Sequence, residues 1–336
     1  MSTDRPTPSS PVTSTDVARL AGVSRATVSF VLNDTQGQRV SAATRDRVRA
    51  AAKQLGYVPH AAARALRAGR SDLVLLPASA SALGRLVSDW VDELHSELAG
   101  HGYTVVLHAG RFPDPVTGAR AWAELRPAAV LALDGERFTE PAAELLRSAG
   151  IHALVSASAH PIPGVHHLAF DHADIGATAV RHLVSRGRQR IGVVMPQERG
   201  LNAFAEPRLA GAQKVAASCT ATVVPLELSY SLESAAALVE RWPDLGLDAL
   251  FAYNDEYAAL LVHAFQDAGV SIPGEVAVVG ADDLLQARLQ RPQLTSIRLD
   301  FPTAAQVAGT IHRLIEDGSS PQLPPVAYTL IHRQSS

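Results

Sequence analysis

The N-terminal part of the chain repeats an amphipathic pattern three times, which predicts three helices. Apolar side chains recur three or four residues apart, so each helix has one apolar face. The faces are Val17, Leu20 and Ala21, then Val28, Val31 and Leu32, then Val48, Ala51, Ala52 and Leu55. Thr13, Ser24 and Ser41 are the predicted capping residues, whereas Gly22 and Gly56 end the first and third helices. Three short helices, with a tight turn between the first two, predict a helix-turn-helix motif.

From residue 73 onward, short apolar runs alternate with helical stretches such as 85–99 and 140–149. This alternation is typical of a parallel sheet covered by helices on both faces. The runs form two groups, LVLLP at 73, TVVLH at 104, AAVLAL at 128 and HALVS at 152, then RIGVVM at 190, ATVVPLEL at 221, DALFAY at 248 and EVAVVG at 275. We therefore predict an α/β fold in which an all-α helix-turn-helix headpiece precedes two doubly wound parallel-sheet subdomains.

Charge separates the same two parts of the 336-residue chain. Residues 1–70 hold 11 Lys and Arg against 4 Asp and Glu, a net charge of +7, whereas the remainder holds 19 against 29, a net charge of −10. A basic module joined to an acidic one predicts that the basic module binds a polyanion. In a helix-turn-helix, the N-terminal residues of the second helix lie at base edges in the major groove. The residues outside the apolar face of that helix are Arg25, Ala26, Ser29 and Phe30, with Asn33 at its end.

Other classes of protein find little support in the sequence. No apolar run approaches the roughly 18 residues of a membrane span, and the N-terminus lacks the order of a signal peptide, so we expect a soluble, cytoplasmic protein. Cys219 is the only cysteine, so no disulfide can form within the chain, and we expect a buried, inert thiol.

No catalytic or nucleotide-binding motif occurs in the sequence, and the pair His166-His167 lacks metal-ligand spacing. The adjacent carboxylates Asp282-Asp283 are a poor acid–base pair, because neighbours on a turn seldom point at one substrate. We predict no enzyme, cofactor or metal.

The segment DVARLAGVSRATVSFVLN, followed by RVSAATRDRVRAAAKQLGYVPHAAARALRAGRS, closely resembles the DNA-binding headpiece and hinge of the lactose-repressor (LacI/GalR) family of bacterial transcription regulators. Spacing and residue types match over about 55 consecutive positions, and a looser resemblance continues to the end of the chain. The resemblance implies an effector domain like the periplasmic sugar-binding proteins, with two subdomains that clamp a ligand. It implies a transcriptional regulator, usually a repressor, that binds pseudo-palindromic operator DNA and responds to a small-molecule effector such as a sugar or related metabolite.

The predicted domains are a disordered tail (1–12), a helix-turn-helix DNA-binding domain (13–58), a hinge helix or linker (59–70) and an effector-binding and dimerisation domain (71–336). The end of the chain, VAYTLIHRQSS, lacks the leucine-heptad tail that makes some family members tetramers, so we expect a homodimer. A solute-binding protein or sensor without regulatory DNA binding is the alternative, although it would need a secretion signal and no headpiece.

The resemblance also implies which residues contact DNA. Two base-reading positions correspond to Arg25 and Ala26. Positions that bind phosphates or flanking bases correspond to Thr13, Ser24, Ser29, Asn33 and Thr44. In the hinge, His60 stands where the family usually has Asn, and Leu66, with Ala63 beside it, matches the leucine that enters the minor groove at the dimer axis.

Phe30 departs from the family pattern, because this position is usually an arginine that contacts DNA. An aromatic ring gives up that charged contact and could pack on a thymine methyl group or a sugar. Alternatively, the ring could fold back onto the loop at 34–39. Both interpretations remain open.

The resemblance implies five effector-contacting positions in one cleft, namely Ser79, Arg208, Asn254, Asp282 and Phe301. In such sheets ligands bind beyond the carboxyl ends of the strands, which is where most of these residues fall. Each also has a plain structural interpretation, since Asn and Asp after a strand commonly cap helices and a lone Arg is usually in a surface ion pair. Ala157 stands where many sugar-binding members have a charged residue after the fourth strand, so the identity of the effector stays open.

Overall fold

The computed structural model describes residues 12–32, 40–58, 71–78, 84–110, 112–134 and 138–336. Contacts divide the chain into two compact units, Met1–Ser71 and Asp72–Ser336, which we call the headpiece and the core unit. Several predicted features lie outside the described residues: the tail before residue 12, the loop at 34–39, the hinge at 59–70, and the site residues Asn33, His60, Ala63, Leu66 and Ser79.

Three helices form the described part of the headpiece, as the amphipathic pattern predicts. They are α1 (Ser14–Ala21), α2 (Arg25–Leu32) and α3 (Ala42–Leu55). The backbone N–H of Thr27 donates to Ser24 Oγ at 3.1 Å, which caps α2. Gly22 ends α1 in the left-handed conformation, with φ at 65°, so the chain turns sharply into α2.

Valine and alanine side chains from all three helices make the headpiece core, and Val17, Val28 and Val48 are almost fully buried. The prediction for Leu20 was wrong, because its side chain is 46% exposed and Ala18 is buried instead. At 3.6 residues per turn, the side chains of Ala18 and Leu20 project to opposite sides of Val17 around the helix axis. Since α2 and α3 both pack on α1, they cover the Ala18 side.

The first half of the core unit is a five-stranded sheet in the order β2-β1-β3-β4-β5, in which every pairing is parallel. Its elements are β1 (Leu73–Pro77), α4 (Arg85–Gly100), β2 (Thr104–His108), α5 (Pro115–Glu124), β3 (Ala129–Ala132), α6 (Glu140–Ser148), β4 (Ala153–Ser158) and β5 (His166–Ala169). Both central strands, β3 and β4, are buried at every position. Interior strands of a parallel sheet are covered on both faces, so even Ser156 and Ser158 of β4 are buried.

The second half is a six-stranded sheet in the order β11-β10-β9-β8-β6-β7. Its elements are α7 (His172–Ser185), β6 (Arg190–Pro196), α8 (Asn202–Ala216), β7 (Thr222–Leu228), α9 (Leu232–Glu240), α10 (Trp242–Leu245), β8 (Ala249–Phe251), α11 (Asp255–Asp267), β9 (Ala277–Ala281), α12 (Leu285–Leu289), β10 (Thr295–Asp300), α13 (Ala304–Glu316) and β11 (Ala327–Ile331). Helix α13 returns to the first half and packs on α4 and β4. The chain therefore passes between the two halves more than once.

All eight predicted strands are present, and the two-subdomain α/β fold is confirmed. The sequence analysis did not identify β5, β10 or β11 as strands. One pairing also differs from the predicted parallel arrangement, because β11 runs antiparallel to β10 at the edge of the second sheet. The rule of right-handed crossovers applies to connections between parallel strands. Among the described strands, β11 lies at the edge of the sheet and pairs only with β10, so this rule does not fix its direction.

Cys219 was expected to be buried, and this prediction was wrong. The residue follows α8 and is exposed, with its Sγ atom 3.4 Å from the carbonyl oxygen of Val215. A turn after a helix runs over the surface of the protein, so a small apolar residue there stays accessible. In the described part of the chain, no helix combines the length and the apolar character that a membrane span requires.

Candidate functional site

A cavity of about 170 Å³ lies in the core unit where the carboxyl ends of the two sheets face each other. Residues at or after the ends of β1, β3, β4 and β5 line it from the first sheet, and residues after β6, β7, β8 and β9 line it from the second. One water molecule needs roughly 10–15 Å³ of such space, so the cavity has room for a small organic molecule. Its position beyond the strand ends is where open parallel sheets bind their ligands.

Four of the five predicted effector positions line this cavity, namely Arg208, Asn254, Asp282 and Phe301. The fifth, Ser79, lies outside the described residues. Ala157 lines the cavity as well, but it lies within β4 rather than after it, because the strand extends to Ser158. The structure thus brings together residues from distant parts of the sequence, and their contact with an effector stays a prediction.

Asn254 has two roles. Its Oδ1 atom accepts hydrogen bonds of 3.1 Å from the backbone N–H groups of Glu256 and Tyr257, which caps α11. Its amide Nδ2 donates to Glu256 Oε2 at 3.3 Å. Asn254 therefore both caps α11 and lines the cavity, because the first turn of α11 faces the cavity.

Arg208 is 5% exposed, so the interpretation as a surface arginine is wrong. Its Nη1 atom donates to the carbonyl oxygen of Tyr253, and its guanidinium carbon lies 4.6 Å from the centre of the Tyr253 ring. The Nε atom is buried and has no hydrogen-bond partner among the described residues. A buried guanidinium group with an unmade hydrogen bond is costly, and Arg208 lines the cavity, so a ligand acceptor that reaches this group would stabilise the site.

Asp282 and Asp283 point in different directions, as expected for neighbours on a turn. Asp282 lines the cavity, and burial raises its pKa to about 6 although the charge of Arg208 acts against the rise. Asp283 instead contacts Arg333, with its Oδ1 atom accepting from the guanidinium group. Both residues have a positive φ, 97° and 50°, which is strained for residues with a side chain.

The turn that carries these residues is held by Asp255. Its carboxyl group is completely buried and accepts hydrogen bonds from Ser296 Oγ at 2.6 Å and from the backbone N–H of Leu284 at 2.7 Å. Burial raises the pKa of Asp255 to about 8. Asp255 therefore fixes the loop after β9 and with it the position of Asp282.

One wall of the cavity is a continuous row of aromatic rings. Trp90 lies 5.7 Å from Phe301, Phe301 lies 5.4 Å from Phe170, and His172 lies 4.1 Å from Phe170 and 5.0 Å from Phe204. Burial, helped by the charge of Arg208, lowers the pKa of His172 well below its ordinary value, so the imidazole is neutral. Neither ring nitrogen of His172 has a partner among the described residues.

Tyrosine rings form a second aromatic group in the lining. Tyr257 lies 5.1 Å from Tyr230 and 5.7 Å from Tyr253. The Tyr257 hydroxyl donates to Glu198 Oε2, and the backbone N–H of Tyr230 donates to Glu198 Oε1. Tyr230 itself is 53% exposed, so these residues form the more open end of the cavity.

Sequence reasoning missed most of the aromatic and acidic lining, including Trp90, Phe170, His172, Glu198 and Tyr230. A usable signal existed for three of them, because Phe170, Glu198 and Tyr230 come within two residues of a strand end. Trp90 lies inside α4 and faces the cavity only because that helix packs beside α13 and Phe301. Strand-end reasoning does not reach such a position.

In the headpiece, the predicted DNA-facing residues Ser24, Arg25 and Ala26 are exposed at the start of α2. Ser29 and Phe30 are half-buried on the same helix. Among the described residues, Phe30 does not belong to the headpiece core or to the side chains packed against it.

Two further predicted DNA contacts lie at helix starts. Thr13 is exposed, and its hydroxyl donates to Asp16 Oδ2 at 2.7 Å. Thr44 is half-buried, and its backbone N–H donates to Ser41 Oγ at 3.3 Å, which caps α3. The DNA-binding roles of these headpiece residues stay predictions.

Comparison with known proteins finds family matches in both units. Residues 13–60 match the model of bacterial regulatory proteins of the lacI family, and residues 180–336 match that of a periplasmic binding protein-like domain. The HTH-type transcriptional regulator GalS of Salmonella typhimurium is 32% identical over 88% of each chain. The lac repressor dimer bound to operator and the anti-inducer ONPF is 25% identical, with a TM-score of 0.74, over 97% of this chain and 99% of that one. A complex of the transcriptional regulator CelR with cellobiose is 26% identical, with a TM-score of 0.62, over 97% of this chain and all of that one.

The fold and the cleft thus define a protein of two parallel-sheet subdomains joined to a helix-turn-helix unit, the class of ligand-responsive DNA-binding proteins. The chain belongs to the lacI family of bacterial transcriptional regulators. It is a regulator and not an enzyme, and the alternative of a solute-binding protein without DNA binding disagrees with the lacI-family match over residues 13–60.

Proposed function

We propose that this regulator is a cytoplasmic repressor that binds a pseudo-palindromic operator as a homodimer. A small molecule, a sugar or a related metabolite, binds in the cleft of the core unit and changes the affinity for the operator. The observation that carries the proposal is the cavity at the sheet ends, lined by Arg208, Asn254, Asp282 and Phe301, in a chain that also has a basic helix-turn-helix.

The DNA contact follows from the surface of α2. Arg25 and Ala26 are exposed at its N-terminus, the part of a recognition helix that reaches base edges. Arginine pairs with the O6 and N7 atoms of guanine, and alanine contacts the methyl group of thymine. Two headpieces related by a two-fold axis require two inverted half-sites. We therefore expect an operator whose half-sites contain a guanine and a thymine at adjacent recognised positions.

The effector contact follows from the polar groups of the cavity. Arg208 and Asp282 offer a donor and an acceptor beside an aromatic wall. Sugars present hydroxyl groups at their rim and an apolar face, which suits such a site. Two structural neighbours are complexes with small molecules, namely the lac repressor with the anti-inducer ONPF and CelR with cellobiose.

The two sites are coupled by linkage. An effector that prefers one arrangement of the dimer changes operator affinity, and the operator changes effector affinity by the same factor. The coupling acts through the core unit, because the cleft lies between its two subdomains and a ligand there stabilises one relative position of them.

Operator selection tests the DNA side of the proposal. Genomic or random duplexes bound by the full chain are sequenced, and binding is then compared for the full chain and for residues 72–336. The expected result is an inverted repeat bound only by the full chain, while residues 72–336 remain folded by circular dichroism. Specific binding by the shortened chain would contradict the assignment of DNA binding to the headpiece.

A thermal-shift screen tests the effector side. The full chain is heated with sugars, nucleosides and small acids, and a bound ligand raises the melting temperature by mass action. Arg208→Ala is the matched variant, since it removes the buried guanidinium from the cavity. A ligand that raises the melting temperature of both proteins equally binds outside the cleft, and this result would contradict the proposed effector site.

A further inference from the structure

The described lining of the cavity carries more negative than positive charge. Its described lining includes four carboxylates, Asp134, Glu198, Glu256 and Asp282, and Arg208 as the cationic side chain. His172 adds no charge, because burial keeps its imidazole neutral. The described lining therefore has a net charge of −3 once Asp282 is ionised.

Arg208 does not neutralise the open end of the cavity. Its guanidinium group is held by the carbonyl oxygen and the ring of Tyr253, and its charge acts on Asp282. Glu198 and Glu256 remain at the open end, beside Tyr230.

Glu198 is fixed as a carboxylate. Burial alone would raise its pKa, but the Tyr257 hydroxyl and the Tyr230 N–H donate to its two oxygens and bring the pKa below its ordinary value. Hydrogen bonds to the charged form hold it ionised and oriented. Glu256, on the first turn of α11, also lines the cavity; its Oε2 atom accepts from the Asn254 amide, and its charge acts on Tyr230.

Aromatic faces surround these carboxylates. Tyr230 is 53% exposed at the mouth of the cavity, and its ring centre is 5.1 Å from that of Tyr257, which is 5.7 Å from that of Tyr253. The face of a tyrosine ring attracts cations, and ionised carboxylates strengthen the attraction. Rings and carboxylates together make a site for a positive charge and repel a phosphate.

At the other end of the same cavity, buried polar atoms lack hydrogen-bond partners among the described residues. Arg208, 5% exposed, has an unpartnered Nε atom, and both ring nitrogens of His172 are buried without a described partner. The guanidinium group only donates, whereas the neutral imidazole has one donor and one acceptor nitrogen, so hydroxyl groups, which both donate and accept, suit this end. The cavity is therefore polarised, with a cation-binding, negatively charged end at Glu198 and a hydroxyl-binding end at Arg208.

We propose that the effector carries a protonated amine beside its hydroxyl groups and no phosphate, and that the amine lies between Glu198 and Glu256 against the rings of Tyr230 and Tyr257. Amino sugars and hydroxylated amines belong to this class. The inference rests on the proposed function, since it assumes that the cleft binds the effector, and it adds the charge of the ligand.

Probe pairs that differ in charge test the inference without the natural effector. Choline is compared with its neutral isostere 3,3-dimethyl-1-butanol, and D-glucosamine with D-glucose and D-glucose 6-phosphate. Ligand-observed NMR titrations of the full chain at constant ionic strength give the dissociation constants. We expect the cationic member to bind at least about threefold more tightly than the neutral one in one pair or both, and glucose 6-phosphate to bind most weakly.

Variants assign that preference to the site. The double substitution Glu198→Gln and Glu256→Gln should remove the preference for the cation, whereas Glu240→Gln, which removes an exposed carboxylate at the end of α9, should retain it. Tyr230→Leu is a second variant at an exposed position, and it should weaken cation binding if the double variant does not fold.

Two results would overturn the inference: cationic probes that bind no more tightly than neutral ones in either pair, including the case in which no probe binds, and a preference that survives both the double variant and Tyr230→Leu. Neither result bears on operator binding by the headpiece. A ligand-responsive repressor with a neutral effector would still pass the operator and thermal-shift tests, so the two failures can be told apart.

Discussion

Gly176 of α7 lies against the backbone carbonyl oxygen of Arg208 in α8, so closely that a Cβ atom on the glycine would be 1.8 Å from that oxygen. Gly211 of α8 makes the reciprocal approach, with a Cβ atom 1.9 Å from the carbonyl oxygen of Ala173. The two helices meet backbone to backbone at both points. This contact sets the position of Arg208 relative to His172, which begins α7.

Gly176→Ala should therefore force α7 and α8 apart. Backbone atoms cannot rotate out of the way as side chains do, so we expect the core unit to lose about 1–3 kcal/mol of stability and the cavity to lose ligand affinity. Gly309→Ala in α13 is the matched control, because no described atom outside its own helix backbone lies within 4 Å of its added methyl group. Alanine in a helix interior should stabilise the protein by about 0.5–1 kcal/mol there. Urea denaturation of both variants measures the difference, and an equal effect at the two positions would contradict the close contact.

Asp255 predicts a dependence of stability on pH. Its pKa is raised to about 8 by burial, so the folded state holds a proton that the unfolded state has released above about pH 4. The folded state binds more protons in this window, so this group lowers the free energy of unfolding as the pH rises from about 4 to 8, by at most about 1.4 kcal/mol per pH unit. Asp255→Asn removes the titration. The melting temperature of the variant relative to the native chain should therefore rise from pH 5 to 8 and level off above it, and a difference that is constant with pH would refute the buried proton.

Phe30 is predicted to face DNA, since among the described residues it does not join the headpiece core. Phe30→Ala should weaken operator binding by about 1 kcal/mol, the worth of a partly buried apolar contact, and leave binding to scrambled DNA nearly unchanged. Phe30→Arg should steepen the dependence of log K on log[salt] by about 0.9, because it adds one phosphate contact. Leu20→Ala, which removes another exposed apolar side chain of the headpiece, is the control. If Phe30→Ala instead lowers the melting temperature of the headpiece and leaves the ratio of operator to scrambled affinity unaltered, the ring packs inward.

Leu285 and Leu289 predict a dimer contact. They are 71% and 67% exposed and lie four residues apart on α12, so they share one face of the helix. Apolar side chains that are exposed side by side favour a contact with a second copy of the chain, because the contact removes them from water. Changing both to Asp should convert the dimer to a monomer in size-exclusion chromatography with light scattering, whereas Leu125→Asp, at a 41% exposed position after α5, should not. A double variant that remains dimeric at micromolar concentration would place the interface elsewhere.

The amphipathic and apolar patterns predicted the headpiece helices and the central strands, because these elements depend on local sequence, whereas the cleft residues were predicted from the family resemblance. Strand β3 is apolar throughout, Asp282 directly follows β9, and Asn254 comes three residues after the end of β8. Features that depend on which elements pack together were not predictable. Leu20 is exposed because of the side from which α2 and α3 cover α1, and β5 was missed because its sequence, HHLA, interrupts the apolar run with two histidines. Trp90 and His172 enter the cavity through tertiary packing, which residue types and spacing do not reveal.

The central claim is that ligand binding in the cleft controls DNA binding by the headpiece. The most direct measurement is the dissociation constant of the full chain for its selected operator, by fluorescence anisotropy, with and without the ligand found in the thermal-shift screen, for the native protein and for Asp282→Ala. The account predicts that the ligand changes the operator dissociation constant of the native protein by about 5- to 150-fold and that Asp282→Ala loses most of this change. A ligand that binds the cleft of the native protein and leaves its operator dissociation constant unchanged would contradict the account.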